Sequence, residues 1–184
     1  MRFLLDGVHE ELNRVAKKPP YKELDFDKLP IEEQSQNWWI YNLERDNSII
    51  TDLFTGQLMN KLECQKCAYK SYAFDNFMDL SISIPRKGVR ITGIVELRDC
   101  LENFIKPEKM EECGFKCKKC KGVDCFTKEL TIFRYPKILV VHLKRFYNSA
   151  MRREKLNTSV KIPKECNLSD FAPHSSNRIL LMHV

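Results

Sequence analysis

The 184-residue chain is 43% hydrophobic and 30% charged, a composition typical of a globular protein with one core. It contains no run of 18 apolar residues, which excludes a membrane-spanning helix and argues against a membrane partner. The net charge of +6 comes from lysines spread along the chain, so it indicates a solvated basic surface and argues against a nucleic-acid partner.

The first predicted element is a helix near the N-terminus. Its apolar residues recur at helical spacing: Leu5, Val8, Leu12 and Val15. The opposite face, which we expect to carry His9, is polar, and Pro19 and Pro20 end the pattern. The apolar pattern is already established at Phe3 without a capping residue before it, which is typical of a helix entered part-way along its length.

The same stretch gives an expectation for the compartment. Asp6 directly follows the short apolar patch and no small-residue cleavage site is present, so the stretch does not have the form of a signal peptide. We therefore expect an intracellular protein, cytoplasmic or nuclear or both. In such a compartment the eight cysteines should be reduced, metal-bound or buried instead of disulfide-linked.

A linker interrupted by prolines at 17–30 separates this helix from a second one, predicted at 30–45. Pro30 suits the first turn of that helix, and its packing residues should be Trp38, Trp39 and Leu43.

From Ser48 onward the pattern changes to strands. The segment FTGQLMNKLEC predicts a strand, and the alternation in YKSYAFDNFMDLSISIP predicts a returning strand. VELRDCLENFI returns to helical spacing, and ILVVHLKRF, which follows a break at Tyr135–Pro136, indicates a buried strand. Together these elements predict an α+β fold with one long, mostly antiparallel sheet.

Two Cys-x-x-Cys motifs, each flanked by or close to a predicted strand, indicate a metal centre. Cys64 and Cys67 form the first knuckle, Cys117 and Cys120 form the second, and 49 residues separate the two. Two such knuckles supply the four thiolates of a tetrahedral structural zinc site, and strands can bring them together across the long insert. The alternatives are two disulfides, which a reducing compartment disfavours, a chance coincidence, and a thioredoxin-like redox motif, which would open a helix.

The remaining cysteines have weaker assignments. Cys113 lies four residues before Cys117 and competes for one ligand position, so its role stays open. Cys100 lies on the apolar side of a predicted helix and is expected to be a core thiol. Cys125 and Cys166 are interpreted as structural or incidental.

A series of segments in fixed order resembles the ubiquitin-specific protease family of cysteine-type deubiquitinases. The segments are RFLLDGVHEELNRV, ITDLFTGQLMNKLECQKC, FDNFMDLSISIP, LRDCLENF, KCKKC, KELTIFRYPKILVVHLKRF and KLNTSVKIP. They cover about residues 2 to 177, and it is their combination that is specific. The resemblance is to the branch that has a short, zinc-bearing finger region.

The resemblance implies a papain-like catalytic domain with thumb, palm and fingers, of which this chain is a part. The implied division is 1–46 for the end of the thumb helices and a linker, 47–130 for fingers with a zinc ribbon, and 131–184 for truncated palm strands. It also implies ubiquitin and ubiquitinated proteins as partners. By their match to a segment that lines the ubiquitin cradle, the candidates for contact or for shaping the contact are Asp75, Phe77 and Asp79.

The family's catalytic residues are not found. Its nucleophile lies in a Gly-Asn-Thr-Cys context and its base in a Gly-Gly-His-Tyr context, and neither occurs in these 184 residues. His9, His142 and His183 lie in other contexts and do not substitute for the base. A thiol attacks an isopeptide well only when an imidazole takes its proton, so we expect the chain alone to be inactive.

Three interpretations remain open at this point. The chain is expected to be a piece of a deubiquitinase, from truncation or an incomplete gene model. It is alternatively a short binding or decoy module that keeps the ubiquitin-facing surface without the chemistry. The remote third alternative is an unrelated zinc-ribbon protein that binds nucleic acid, with aromatic side chains stacking on bases.

Overall fold

A computed structural model describes residues 2–22, 24–85, 94–110, 114–148 and 153–172. The helices are α1 (Arg2–Glu11), α2 (Ile31–Leu43), α3 (Ile49–Phe54) and α4 (Leu97–Ile105), and a 3-10 turn follows at Ser169–Phe171. The strands are β1 (Gly56–Cys64), β2 (Lys70–Phe77), β3 (Leu80–Ser83), β4 (Val95–Glu96), β5 (Glu108–Lys109), β6 (Phe115–Lys116), β7 (Val123–Asp124), β8 (Phe126–Arg134), β9 (Val141–Lys144), β10 (Phe146–Asn148), β11 (Arg153–Lys155) and β12 (Val160–Lys161). Within these ranges no helix has the length and apolar character needed to cross a membrane.

The longest strands form a four-stranded antiparallel sheet in the order β2-β1-β8-β5. The prediction of one long sheet is wrong, because the other described strands form four separate pairs. Two of those pairs, β3 with β9 and β4 with β12, are parallel. β8 ends at Arg134, directly before Tyr135 and Pro136. Since proline has no backbone N–H to give to a sheet, the chain leaves the sheet there and β9 pairs with β3 instead.

The main core lies between α4, β3, β9 and the end of β8. Its largest fully buried side chains are Leu80, Ile82, Val95, Leu101, Ile132 and Phe171. α4 confirms the predicted helix, and a capping box fixes its start, since the Glu96 backbone N–H donates to the Asp99 carboxylate at 2.8 Å. The ILVVHLKRF segment is less buried than predicted: its strand β9 spans only Val141–Lys144, Phe146 already begins β10, and His142 is exposed.

The first helix is shorter than its apolar pattern predicts and buries a different face. α1 ends at Glu11, and Leu12 is 52% exposed. The Asn13 side-chain oxygen accepts hydrogen bonds from the backbone N–H groups of Val15 at 3.0 Å and of Asn47 at 3.1 Å. These bonds hold the chain in a turn at the point where the helix would continue.

α2 confirms the second predicted helix, with Pro30 directly before its first residue. Trp38 packs with Met59, Phe74 and Phe133 in a second, smaller core on one face of the four-stranded sheet. Trp39 is covered by the Arg134 guanidinium, 4.4 Å from the ring centroid.

The division into thumb, fingers and palm at 1–46, 47–130 and 131–184 stays a prediction. The strand β8 runs across the second boundary and pairs with β1 from Phe126 to Arg134. The predicted boundary at 130/131 therefore falls within one continuous strand.

Candidate metal centre

Each Cys-x-x-Cys motif lies at the turn of a two-stranded hairpin. β1 ends in Cys64, and Cys67 lies in the turn before β2. Cys117 and Cys120 lie between the short strands β6 and β7, which pair antiparallel. The first placement is as predicted, and the second hairpin was missed because its strands have only two residues each.

The two knuckles have the same backbone conformation. In each, the residue after the second cysteine is left-handed, with φ of 54° at Ala68 and 57° at Lys121. Its N–H donates to the carbonyl of the first cysteine, at 2.9 Å in the first knuckle and 3.0 Å in the second. The N–H of the first cysteine donates in turn to the carbonyl five residues later. Such repetition of a sterically costly conformation indicates that both turns present their sulfur atoms in the same way.

The four sulfur atoms of Cys64, Cys67, Cys117 and Cys120 all lie within 4.8 Å of one another. The Sγ atoms of Cys67 and Cys117, one from each knuckle, are 3.6 Å apart. A tetrahedral zinc ion with Zn–S bonds of about 2.3 Å requires sulfur–sulfur distances of about 3.8 Å. The donor set and its spacing therefore fit one four-coordinate metal ion that prefers thiolates.

Burial of the four sulfur ligands is uneven. Cys64 and Cys117 are buried, at 0% and 1% exposure, whereas Cys67 is partly buried and Cys120 is exposed. The buried pair packs against Phe126. A site closed on the protein side and complete in protein ligands is typical of a structural metal, since catalytic zinc keeps an open position.

Backbone hydrogen bonds prepare the second knuckle for a thiolate. The N–H groups of Cys120 and Lys119 donate to the sulfur of Cys117, which lowers the pKa of that thiol to about 6. A hydrogen bond from the Tyr69 N–H to the Cys67 sulfur likewise acts to lower the pKa of the Cys67 thiol. There, desolvation and hydrogen bonds with the three neighbouring thiols outweigh it and raise the pKa to about 11. Four thiols this close cannot all ionise without a cation among them.

Among the described residues, Cys100, Cys125 and Cys166 are not members of this cluster. Cys100 is fully buried in the main core, where burial raises the pKa of its thiol, which confirms the predicted core position. Cys166 is free and partly buried. Cys125 is disulfide-bonded, contrary to the expectation that cysteines outside the metal site are reduced. Cys113 lies outside the described residues.

The three candidates for ubiquitin contact differ in exposure. Asp75 is exposed on β2, and Asp79 is partly buried and accepts a hydrogen bond from the Ser81 hydroxyl at 3.3 Å. Phe77 is 8% exposed and belongs to the main core. It packs so closely on Gly56 that a Cβ there would lie 2.5 Å from its ring. Phe77 is thus placed to shape the surface and not to present its ring to a partner.

A cluster around His9 was missed in the sequence, where His9 was expected on the polar face of α1. The imidazole is buried, with Nδ1 2.7 Å from the Ser48 hydroxyl and Nε2 3.5 Å from the Asp46 carboxylate. This Ser-His-Asp arrangement is not a nucleophilic centre. Ser48 is fully buried, and its hydroxyl accepts two backbone N–H groups as the N-cap of α3.

The same cluster does not leave room for a cation. His9, Glu10 and Asp46 lie close enough to share a metal ion. The Lys18 ammonium, however, lies 3.1 Å from Glu10 and 2.9 Å from Asp46. Partial burial acts to raise the pKa of Asp46, but hydrogen bonds from Lys18 and His9 outweigh it and lower that pKa. The internal ammonium therefore takes the place of a bound cation.

Comparison with known proteins identifies the family. The ubiquitin carboxyl-terminal hydrolase family model matches residues 1–180. Ubiquitin carboxyl-terminal hydrolase 2 of Gallus gallus is 44% identical over 179 residues, which are 96% of this chain and 49% of that protein. Ubiquitin carboxyl-terminal hydrolase 21 of Homo sapiens is 37% identical over 189 residues, covering 94% of this chain and 33% of that protein.

Solved structures give the same result for the fold. A yeast SAGA DUB module matches with a TM-score of 0.67 and 25% identity, over 93% of this chain and 34% of that one. A SAGA DUB module bound to monoubiquitin matches with a TM-score of 0.61 and 27% identity, over 77% of this chain and 31% of that one. The chain spans about half the length of the Gallus gallus relative and about a third of the others named here. It belongs to the ubiquitin carboxyl-terminal hydrolase family, as its sequence resemblance predicts.

Proposed function

We propose that this chain is part of a thiol-dependent deubiquitinase, which hydrolyses isopeptide bonds at the C-terminus of ubiquitin. Its partners are then ubiquitin and ubiquitinated proteins. The observation that carries this proposal is the family match over residues 1–180. Similar solved structures are described as bound to monoubiquitin and to ubiquitin aldehyde, which supports the same partner here.

The four-stranded sheet connects the candidate ubiquitin-contact residues with the two knuckles. Asp75 and Asp79 are our candidates for direct contact with ubiquitin, and Phe77 supports them from the core. β1 and β8 run from this region to the metal centre, because β1 ends at Cys64 and β8 begins at Phe126. The position of the knuckles is thus coupled to the surface that grips the partner.

We propose that Cys64, Cys67, Cys117 and Cys120 hold one structural zinc ion. When bound, the ion supplies a cross-link between the two hairpins and no step of the hydrolysis. The chain contributes the preformed turns and the backbone N–H groups that donate to Cys117. Metal binding and local folding are coupled in such sites, so loss of the ion should loosen the hairpin tips.

The chain alone should not hydrolyse ubiquitin conjugates. Isopeptide hydrolysis needs an activated thiolate, a proton donor for the departing lysine amine and donors for the oxyanion. The family's two catalytic contexts do not occur in the 184 residues, and the remaining members of such a unit do not replace the missing ones. The four knuckle thiolates would have their lone pairs held by the metal.

A second candidate function rests on that same lack of catalytic contexts. The chain would then be a binding or decoy module that keeps the ubiquitin-facing surface. A longer protein that also contains a Gly-Asn-Thr-Cys and a Gly-Gly-His-Tyr segment should cleave ubiquitin conjugates if the deubiquitinase proposal holds. If such segments are not encoded beside this chain, the binding module is favoured.

The metal proposal is tested by measuring zinc in the purified protein. We expect about one zinc per chain, lost in the Cys64→Ser, Cys67→Ser double variant and retained in Cys166→Ser as a matched control. Full zinc retention by the double variant would reject the site. Loss of zinc from Cys113→Ser but not from Cys117→Ser would mean that one ligand is wrongly assigned.

The activity proposal is tested with a ubiquitin that carries a C-terminal electrophile. We expect no labelling of any cysteine in this 184-residue chain. Labelling that disappears on mutation of a single cysteine would show a nucleophile that the sequence contexts did not reveal. The family match over residues 1–180 already overturns the third interpretation, an unrelated zinc-ribbon protein.

A further inference from the structure

Lys66 belongs to the first knuckle, but its ammonium group lies beside the second. A Cβ atom placed on Gly122 would lie 3.7 Å from the Lys66 Nζ and 3.7 Å from the Cys120 Sγ. The two atoms flank the same point, so at most about 7.4 Å separates them. Lys66 thus crosses from one hairpin turn to the other next to a metal-ligand sulfur.

Cys120 is the ligand at which a bound ion would be most open to solvent and to competing ligands. It is exposed, whereas Cys64 and Cys117 are buried. One divalent cation with four thiolates has a formal charge of −2, and the excess negative charge must be balanced by nearby cations or by solvent. Outer-sphere partners of this kind hold ligands in place and raise metal affinity.

Two other lysines near the knuckles, Lys118 and Lys70, already lie beside carboxylates. The Lys118 ammonium pairs with Asp27 at 2.5 Å, and that of Lys70 lies 4.0 Å from Glu63. Lys66 differs from these two because its ammonium lies by the Cys120 side of the cluster.

We propose that Lys66 is an outer-sphere cation of the metal centre. It stabilises the metal-bound Cys120 thiolate across the gap between the knuckles and slows loss of the ion from the exposed side. Lys66 is therefore a positioning residue for the metal. This inference rests on the proposed zinc site.

The experiment compares metal retention in purified zinc-loaded protein by competition with a chromophoric chelator at low salt. We expect Lys66→Ala to weaken retention about threefold to tenfold, Lys66→Glu to weaken it further, and Lys66→Arg to resemble wild type. Lys70→Ala removes a comparable exposed charge and should change retention by less than about twofold. The effect should shrink in about 0.5 M salt, because salt screens exposed charges.

Each outcome separates this inference from the zinc proposal. If wild type binds one zinc and Lys66→Ala and Lys66→Glu retain it equally well at low salt, the role of Lys66 is overturned and the zinc site stands. If Lys66→Arg is as weak as Lys66→Glu, or the loss is the same at high salt, Lys66 acts through packing and the inference is wrong. If wild type binds no zinc through the four cysteines, the zinc proposal itself fails.

Discussion

Replacing Gly56 with alanine should destabilise the protein through one identifiable contact. The new Cβ would lie 2.5 and 2.6 Å from two ring carbons of Phe77 and 2.8 Å from the Arg134 carbonyl oxygen. Carbon atoms prefer separations of about 3.5–4.0 Å, so the ring must move by about 1 Å inside a packed core. The Arg134 carbonyl belongs to β8, the neighbouring strand of the sheet, and has little freedom to follow.

Overpacking of this kind costs about 1–3 kcal/mol, and the two separate clashes place Gly56→Ala toward the upper end, at about 2–3 kcal/mol. The assay is urea unfolding, followed by circular dichroism and tryptophan fluorescence. Gly114→Ala is the matched control, since nothing lies within 4 Å of its added methyl group. Gly7→Ala, equally open and inside α1, should gain about 0.5–1 kcal/mol from helix propensity.

A double-mutant cycle then identifies the contact. Phe77→Leu alone should destabilise the core, but added to Gly56→Ala it should cost less than it does in wild type, because the smaller side chain relieves part of the clash. A Gly56→Ala variant within about 0.5 kcal/mol of wild type, or strictly additive effects in the cycle, would refute the reasoning.

Three further predictions concern the α1–α3 junction and the knuckles. Ser48→Ala should lower the free energy of unfolding by about 1–3 kcal/mol, because it removes the N-cap of α3 and the hydroxyl beside His9. Ser159→Ala, at an exposed position, is the control. Equal effects of the two substitutions would contradict the capping role of Ser48. Ala68→Gly should raise the free energy of unfolding by up to about 1 kcal/mol, because glycine adopts the left-handed conformation without steric strain. Ala73→Gly in β2 is the control and should lower it by about 0.5–1 kcal/mol in the same unfolding assay. A lower free energy of unfolding at both positions would argue against strain at Ala68. Because the pKa of Asp46 is lowered in the folded protein, its ion pair stabilises the fold above the ordinary carboxyl pKa, and this stabilisation is lost as the pH falls through the folded pKa. Asp46→Asn should therefore lower the free energy of unfolding by about 0.3–1 kcal/mol at pH 7 and leave it unchanged near pH 2. Unfolding curves that differ equally at both pH values would contradict this.

The clustering of the four knuckle cysteines could be predicted from sequence because its signal is local and doubled. The spacing within Cys64–Cys67 and Cys117–Cys120 needs only one turn each, and the strand pattern next to the first knuckle indicated how it is held. Helix α4 was predictable for the same reason, since its apolar residues recur over a short, uninterrupted stretch.

The division of the strands into separate sheets could not be predicted in this way. Alternation shows that a segment is a strand but not which strand it pairs with, and the break at Pro136 sends β9 to β3 instead of β8. The burial of His9 was missed because its partner Ser48 is 39 residues away, so the helix pattern alone placed the imidazole in solvent. The left-handed conformation of Ala68 and Lys121 could not be predicted from the sequence, since glycine is the usual residue in that conformation and neither position is a glycine.

The central claim, that this chain carries a ubiquitin-binding part of a deubiquitinase, is tested most directly by titrating isotope-labelled ubiquitin with the zinc-loaded protein. We predict chemical-shift changes on one face of ubiquitin, with a Kd on the order of 10–1,000 μM, weaker for Asp75→Ala and for the Cys64→Ser, Cys67→Ser double variant. No change in the ubiquitin spectrum up to millimolar protein would contradict the claim.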